Sequence, residues 1–140
     1  TDLQAPFMAL MTIAKGSSRI TETIFENRMN HVDLLNQMGS SITLKDNVAH
    51  INGVKKLRGM TLVGLDLRSS AALIIAALTS KSVSYVYGLE HLDRGYENFE
   101  QKLSKLGIEI KRQITRTAIS ESNLDNSNSN NKEVSEIRAA

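Results

Sequence analysis

Two aspartates stand in matching places of the sequence. Asp2 and Asp66 each begin an Asp-Leu pair that leads into an apolar stretch of helix length, Ala5 to Ala14 and Ser70 to Thr79. A carboxylate at such a position is either a helix cap, which accepts the free amide hydrogens of the first turn, or a group beside an anion site that removes a proton from a substrate hydroxyl. Periodicity leaves both interpretations open.

Three arginines are the other candidates for chemistry. Arg28 and Arg94 follow predicted strands in matching polar turns, and Arg68 lies in the first turn of the second apolar helix. A cation is unfavourable near the positive end of a helix dipole unless an anion is close. The position of Arg68 therefore predicts a carboxylate or a substrate phosphate as its partner, although a single arginine is more often an ordinary surface residue.

The other reactive side chains give weaker signals. His31, His50 and His91 lack the spacing of metal ligands, and we expect structural or exposed roles for them. The absence of cysteine excludes disulfides, thiolate metal sites and a Cys nucleophile from this chain. The sequence contains neither a P-loop nor a GxGxxG motif, so it offers no case for a nucleoside triphosphate or a dinucleotide cofactor.

The composition indicates one globular domain with an aliphatic core. The chain has 140 residues, of which 41% are hydrophobic and none is Trp. A net charge of +2, with scattered Lys and Arg, argues against nucleic acid as a partner. The longest apolar run, Ala71 to Leu78, is far shorter than the roughly 18 residues of a membrane span, and the first residues lack a signal-peptide pattern. Because the chain begins without Met at a predicted helix start, we expect a fragment.

The elements that position these residues are predicted twice. Each apolar helix is followed by a β-rich stretch, a polar turn with Glu and Arg, a second helix that ends at glycine (Gly39 or Gly107), and a return to strand. This repeat predicts an α/β domain of two units, 1–65 and 66–113. Since Ala71 to Leu78 is apolar on all sides, we expect central helices enclosed by sheets.

The last stretch, Ile114 to Ala140, has a different composition. It contains five Asn residues among serines and mixed charges, with few large apolar side chains. Such a segment cannot bury enough surface to offset its ordering entropy. We therefore expect a domain over residues 1–113 and a disordered tail over 114–140, with at most a helical turn at Val134 to Ala140.

Four runs of residues, taken in order, resemble a known family. The runs are Thr1-Asp2-Leu3-Gln4-Ala5, Ile20-Thr21-Glu22-Thr23-Ile24-Phe25-Glu26-Asn27-Arg28, Asp66-Leu67-Arg68-Ser69-Ser70-Ala71 and His91-Leu92-Asp93-Arg94-Gly95-Tyr96-Glu97. They are similar to the C-terminal part of the UDP-N-acetylglucosamine 1-carboxyvinyltransferases, from Thr1 to about Lys111. The Thr-Glu-Thr-Ile-Phe-Glu-Asn-Arg run is the most specific of them.

The resemblance implies a fold and an activity. The family has two domains, each an inside-out α/β barrel of three βαβαββ units with central helices, so this chain is expected to form a partial barrel. The family transfers the enolpyruvyl group of phosphoenolpyruvate to the 3′-hydroxyl of UDP-N-acetylglucosamine and releases phosphate. This is the first committed step of peptidoglycan synthesis in the bacterial cytoplasm, and it needs no metal or organic cofactor.

The same resemblance assigns roles to residues of this chain. Asp2 resembles the catalytic carboxylate that contacts the sugar hydroxyl and acts as its base. Ile24 resembles a residue of the UDP-sugar site, and Arg94 resembles the arginine that closes on phosphoenolpyruvate. Further residues that the resemblance places in the cleft are Arg28, Asp66 and Arg68.

The implied partners are the two small-molecule substrates and the missing N-terminal domain, with neither nucleic acid nor a membrane among them. In the family the other domain supplies a loop with a reactive cysteine, together with a lysine and arginines for phosphoenolpyruvate. We therefore expect the chain to be inactive alone. The alternatives are a non-catalytic remnant that binds a ligand or another chain and, more distantly, a phosphoenolpyruvate-dependent synthase that acts on another acceptor.

Overall fold

A computed structural model describes residues 1–116 and 133–139 of the chain. The helices in this part are α1 (Gln4–Met11), α2 (His31–Gln37), α3 (Leu67–Leu78), α4 (Leu89–Leu92) and α5 (Phe99–Lys105). The strands are β1 (Ser17–Thr21), β2 (Ser41–Lys45), β3 (Val48–Asn52), β4 (Thr61–Val63), β5 (Ser84–Tyr87), β6 (Ile110–Arg116) and β7 (Glu133–Ala139). The order of helices and strands along the chain is that of an α/β protein.

The two sheets of the structure share one arrangement. In the first sheet, β1 and β2 both pair antiparallel with β3, which lies between them. In the second sheet, β5 and β6 both pair antiparallel with β7, and β4 adds to the outer side of β5 as a parallel strand. Because α1 precedes β1 and α3 precedes β5, the sequence of helix, strand, helix and hairpin occurs twice.

Strand β7 corrects the prediction for the end of the chain. The segments Ile110–Arg116 and Glu133–Ala139 pair along their full lengths, and β7 also pairs with β5. Disorder from Ile114 onward and a helical turn at Val134 to Ala140 are therefore wrong for these two segments. The Asn- and Ser-rich middle dominated the average composition and hid a short strand whose backbone groups find partners on both sides. Residues 117–132 lie outside the described part, and the expectation for them stays a prediction.

Helix α3 lies in the centre of the hydrophobic core. Leu73 and Ile74 are fully buried, and the alanines on either side of them are buried as well. This confirms the enclosed helix predicted from an apolar surface on all sides. Helix α1 packs against α3, but it is buried on only one face, because Phe7 and Leu10 remain 54% and 47% exposed.

The second helices end as the sequence predicts. Gly39 follows α2 with φ of +92°, and Gly107 follows α5 with φ of +85°, a conformation that glycine adopts without a steric penalty. At the other end of α2, residues 22–30 connect it to β1 as a loop. None of the helices in the described residues is long and apolar enough to cross a membrane.

Candidate functional site

Asp66 is a helix cap. Its Oδ1 accepts hydrogen bonds from the backbone amides of Arg68 and Ser69, both at 2.9 Å, and the Ser69 hydroxyl accepts from the Asp66 amide at 3.0 Å. These bonds form a reciprocal capping box at the start of α3. Partial burial works to raise the pKa of Asp66, but the two amide hydrogens outweigh it and hold the pKa below the ordinary value.

Asp2 has a different structural position, although it also begins an Asp-Leu pair. The N-cap of α1 is Leu3, and no side chain caps this helix. The Asp2 side chain is 74% exposed. Its Oδ1 accepts hydrogen bonds from both Nε (2.8 Å) and Nη2 of Arg68. This hydrogen-bonded guanidinium lowers the pKa of Asp2, with a smaller contribution from the charge of Arg28. Oδ2 of Asp2 accepts no hydrogen bond within the described part of the chain.

Arg28 ties the 22–30 loop to the start of the chain. Its Nη1 lies 3.9 Å from Oδ1 of Asp2 and donates a hydrogen bond to the Thr1 hydroxyl at 3.3 Å. Its guanidinium carbon lies 3.8 Å from the centre of the Phe25 ring, a cation–π contact. The structure therefore brings Asp2, Arg28 and Arg68 together, and the predicted anionic partner of Arg68 is Asp2.

A cavity of about 220 Å³ opens beside these residues at the start of α3. His31 lies on its wall, 2% exposed, with an Nε2 atom that has no hydrogen-bond partner within the described residues. Burial lowers the pKa of His31 to about 4, and the nearby charge of Asp66 opposes that shift only in part. His31 is consequently neutral at physiological pH. The other lining residues are Gln4, Ala5, Asn27, Arg28, Asp66, Arg68 and Ser69.

Ile24 borders a second, more apolar cavity of about 290 Å³. Its side chain is 66% exposed, and Leu3 and Phe7 of the chain start line the same space. A third cavity, of about 420 Å³, is lined by other residues of the 22–30 loop, among them Phe25 and Arg28. Residues 23–27 of the loop are exposed, whereas Arg28 is half-buried and stacks on Phe25.

Arg94 stands apart from the other candidates. It is exposed at the end of α4 and forms no ion pair or hydrogen bond to another candidate within the described residues. The next residue, Gly95, packs so closely on Leu67 that an added Cβ would lie 2.9 Å from a Leu67 methyl group. This contact packs the turn that contains Arg94 and Gly95 against Leu67, the first residue of α3.

Sequence reasoning missed two residues of this site. Glu22 is 4% exposed and accepts hydrogen bonds from Thr1 and from two loop amides. It stands within the Thr-Glu-Thr-Ile-Phe-Glu-Asn-Arg run, which was the available signal, but a lone Glu beside a strand gives no indication of burial. His31 was assigned a structural role, and its buried position agrees with that, whereas its place on the cavity wall has no sequence signature. Within the described residues, no group of three His, Asp or Glu side chains could hold a metal ion.

Comparison with known proteins identifies the family. A family model described as EPSP synthase (3-phosphoshikimate 1-carboxyvinyltransferase) matches residues 1–103. The chain belongs to the EPSP synthase family. The UDP-N-acetylglucosamine 1-carboxyvinyltransferase of Prochlorococcus marinus subsp. pastoris (strain CCMP1986 / NIES-2087 / MED4) is 89% identical over 140 residues, which are 100% of this chain and 31% of that protein. The resemblance found in the four runs is thereby confirmed, and the chain spans about a third of the length of this relative.

Solved structures of the family share the fold. The enolpyruvyl transferase NikO from Streptomyces tendae is 30% identical, with a TM-score of 0.69 over 76% of this chain and 25% of that chain. EPSP synthase from Acinetobacter baumannii is 15% identical, with a TM-score of 0.66 over 99% of this chain and 28% of that chain. At this identity the second likeness concerns the fold alone. Both likenesses show that the chain has an α/β fold found in solved enolpyruvyl transferase structures.

Proposed function

We propose that this chain forms one wall of the active site of a UDP-N-acetylglucosamine 1-carboxyvinyltransferase. The observation that carries the proposal is the placement of Asp2. Its carboxylate does not cap a helix, is largely exposed, and lies between two arginines beside the loop that carries Ile24. The name of the 89% identical relative supplies the reaction, the transfer of a carboxyvinyl (enolpyruvyl) group to UDP-N-acetylglucosamine, and the family resemblance supplies phosphoenolpyruvate as the donor.

Asp2 is the base in this proposal. The 3′-hydroxyl of the sugar gives its proton to the carboxylate of Asp2 as its oxygen bonds to C2 of phosphoenolpyruvate. The bond between C2 and the phosphate oxygen breaks, the product keeps one carbon–carbon double bond, and the proton leaves Asp2 with the released phosphate. The pKa lowered by Arg68 keeps Asp2 ionised at neutral pH but also makes it a weaker base. A substrate anion that draws Arg68 away would raise the pKa of Asp2 and strengthen the base when both substrates are present.

The arginines supply charge for phosphoenolpyruvate, which is a compact polyanion. A guanidinium can bind a phosphate or carboxylate through two parallel hydrogen bonds. Arg28 and Arg68 already face one carboxylate, Asp2, so they can hold an anion in the same place. Arg94 is exposed and without an ion pair in the described part of the chain, as suits an arginine that closes on a substrate.

The UDP-sugar lies against the 22–30 loop in this proposal. Ile24 and Phe25 are 66% and 47% exposed, and large apolar side chains are left exposed at binding surfaces more often than elsewhere. Ile24 also borders the apolar cavity shared with Phe7. The apolar wall would contact the ring faces of the nucleotide or sugar, while Asp2 meets the hydroxyl.

We infer further that the chain is part of an inside-out α/β barrel in a cytoplasmic enzyme of peptidoglycan synthesis. The elements β4, α3, β5, α5, β6 and β7 follow the order βαβαββ, with the one-turn helix α4 inserted, and α1, β1, α2, β2 and β3 follow that order without a first strand. The buried α3 supports a central helix. On this order the second unit would begin with β4, whereas the boundary of 65 and 66 proposed from the repeat lies after that strand.

The isolated chain is expected to be inert. The missing N-terminal domain would supply the opposite wall, and without it phosphoenolpyruvate remains largely in water, where each exposed ion pair is worth about 0–1 kcal/mol. Positioning of two substrates, which can lower a barrier by roughly 7–11 kcal/mol, is lost as well. A non-catalytic remnant would behave in the same way, so the test must use a complete enzyme.

The test is a chimera in which this chain replaces the 89% identical segment of the Prochlorococcus relative. With both substrates, the chimera should release phosphate continuously, and the chain alone should not exceed the blank. Asp2→Asn keeps the shape but cannot take a proton, so turnover should fall by roughly 10²-fold or more. Asp33→Asn, at an exposed carboxylate of α2, is the matched control.

Three results would contradict the proposal. An inactive but folded chimera would favour the non-catalytic remnant. Normal turnover of Asp2→Asn would remove Asp2 from the chemistry. Sustained phosphate release by the isolated chain would mean that it contains a complete site rather than one wall.

A further inference from the structure

Glu22 connects two segments of the candidate site that are distant in sequence. Its Oε2 accepts a hydrogen bond from the Thr1 hydroxyl at 2.6 Å, and Thr1 directly precedes Asp2. Its Oε1 accepts hydrogen bonds from the backbone amides of Ile24 at 2.9 Å and Phe25 at 3.3 Å. One carboxylate thus holds both the residue beside the base and the backbone of the sugar-binding loop.

The backbone of Glu22 is itself fixed. Its amide donates to the carbonyl oxygen of Asn47 at 2.9 Å, and the side-chain amide of Asn47 donates back to the Glu22 carbonyl oxygen at 2.6 Å. Asn47 belongs to the tight turn between β2 and β3. Glu22, the first residue of the 22–30 loop, is therefore anchored through its backbone to the β2–β3 turn, which fixes the position from which its carboxylate extends.

The charge of Glu22 is matched by hydrogen bonds. The Thr1 hydroxyl, followed by the Ile24 amide, lowers the pKa of Glu22 to about 2, so that it is ionised throughout the physiological range. Hydrogen bonds to an ionised acceptor are stronger than those between neutral groups. The Thr1 hydroxyl also accepts from Arg28 at 3.3 Å, which links Glu22 to the guanidinium beside Asp2.

We propose that Glu22 is a positioning residue of the transfer reaction, which keeps the Thr1-Asp2 segment and the Ile24-Phe25 segment at a fixed separation. This inference rests on the proposed roles of Asp2 and Ile24. In this role Glu22 acts through these neighbours, although it also lines the cavity that Ile24 borders. A displacement of about 1 Å at a reacting group can cost up to about 10²-fold in rate, which is why such a brace matters to catalysis.

The two oxygens of Glu22 allow the two connections to be separated. In the active chimera, Thr1→Val removes the first connection, together with the Arg28 hydrogen bond to the same hydroxyl, and leaves the second connection intact. We expect kcat to fall about tenfold with little change in KM for the UDP-sugar. Glu22→Ala removes both, so the same fall in kcat should be joined by a rise of about tenfold in this KM. The KM for phosphoenolpyruvate should stay within about twofold in both variants. Glu22→Gln, whose carbonyl oxygen can still accept the loop amides, should restore KM.

Asn36→Ala is the matched structural control. Asn36 also connects two segments, because its side chain accepts from the Ile42 amide at 3.0 Å and donates to the Ile42 carbonyl oxygen at 2.8 Å. It lies in the last turn of α2 and connects this helix to β2, and it lines none of the three cavities described above. If Glu22→Ala shows the same kinetic constants as Asn36→Ala, or constants within about twofold of the parent, the positioning role is refuted.

A readout without activity separates this inference from the proposed function. In the 140-residue chain, loss of the Glu22 carboxylate should accelerate hydrogen exchange of the Ile24 and Phe25 amides by about tenfold or more. Amides of the β2–β3 hairpin should keep their protection. Unchanged exchange at Ile24 would overturn the brace even if the chimera is active, and accelerated exchange would support it even if the chimera is not.

Discussion

The starts of α1 and α3 share an Asp-Leu pair but have different structures. Asp66 has extended backbone angles and caps α3 through two amide hydrogen bonds and a reciprocal bond with Ser69. Asp2 stands one residue before the uncapped N-cap of α1 and extends to Arg68 at the start of the other helix. Asp66 is thus used as the cap of α3, whereas Asp2 caps no helix and its carboxylate is available for chemistry.

The two helices also differ in how much of their surface is buried. Nearly every side chain of α3 from Ser69 to Ala77 is buried, whereas α1 buries Ala5, Met8 and Ala9 and leaves Phe7 and Leu10 exposed. A helix enclosed on all sides must satisfy its amide groups internally, and the capping box of α3 does so. The start of α1 borders solvent and two cavities, where water or a ligand can serve its amides.

The largest expected difference between the helices concerns a buried charge. Ile74→Asp places an unpaired carboxylate in the fully buried centre of α3, at a cost of several kcal/mol, and the fold should be lost. Leu10→Asp on the exposed face of α1 should leave the urea midpoint of the chain nearly unchanged. Cooperative unfolding of Ile74→Asp at the parental midpoint would show that α3 is not enclosed.

A smaller difference concerns pH, since Asp66 and not Asp2 influences the buried His31. The pKa of His31 is about 4 in the folded chain, against an ordinary 6.5. Between these two pKa values the unfolded chain binds a proton at His31 and the folded chain does not. The free energy of unfolding therefore decreases as the pH falls from about 6.5 to 4. The loss should amount to about 3 kcal/mol at pH 4.

Proton NMR titration of the His31 ring checks this prediction. Asp66→Asn keeps an oxygen for the cap but removes the charge that raises the pKa of His31, so the titration midpoint should fall further. Asp2→Asn is the control and should leave that midpoint in place. A His31 midpoint near 6.5 in the parent chain would mean that the ring is solvated and the cavity wall is open.

The sequence predicted those features of the fold that depend on local pattern. The apolar run of Ala71 to Leu78 and the glycines after α2 and α5 are confirmed, because burial and positive φ restrict residue type directly. Strand β7 was missed, because its partners β5 and β6 are distant in sequence and pairing partners leave no local signal. Composition averaged over the whole tail could not reveal it.

The sequence named some residues of the candidate site and none of its contacts. The family resemblance named Asp2, Arg28 and Arg68, which the structure brings together. The choice between cap and base remained open for both aspartates, since it depends on whether the backbone before the helix is extended, as at Asp66, or helical, as at Leu3. The brace formed by Glu22 depends on the β2–β3 turn, a tertiary contact that the residues alone do not specify.

The smallest expected difference is in the free energy of unfolding when each of the two carboxylates is removed. Asp66→Ala leaves the amides of Arg68 and Ser69 without their acceptor at a helix whose body is buried, so the free energy of unfolding should fall by about 1 kcal/mol and at most about 2. Asp2→Ala removes an exposed ion pair and no cap, and the urea midpoint should hardly move. Asp66→Asn should recover most of the loss, because the asparagine side-chain oxygen caps about as well as a carboxylate. The measurement is urea unfolding of the three variants at neutral pH, with the slope compared so that a change in the unfolded state is recognised. Equal destabilisation by Asp66→Ala and Asp2→Ala would mean that Asp2 also stabilises its helix, and the contrast between a structural and a chemical aspartate would fail.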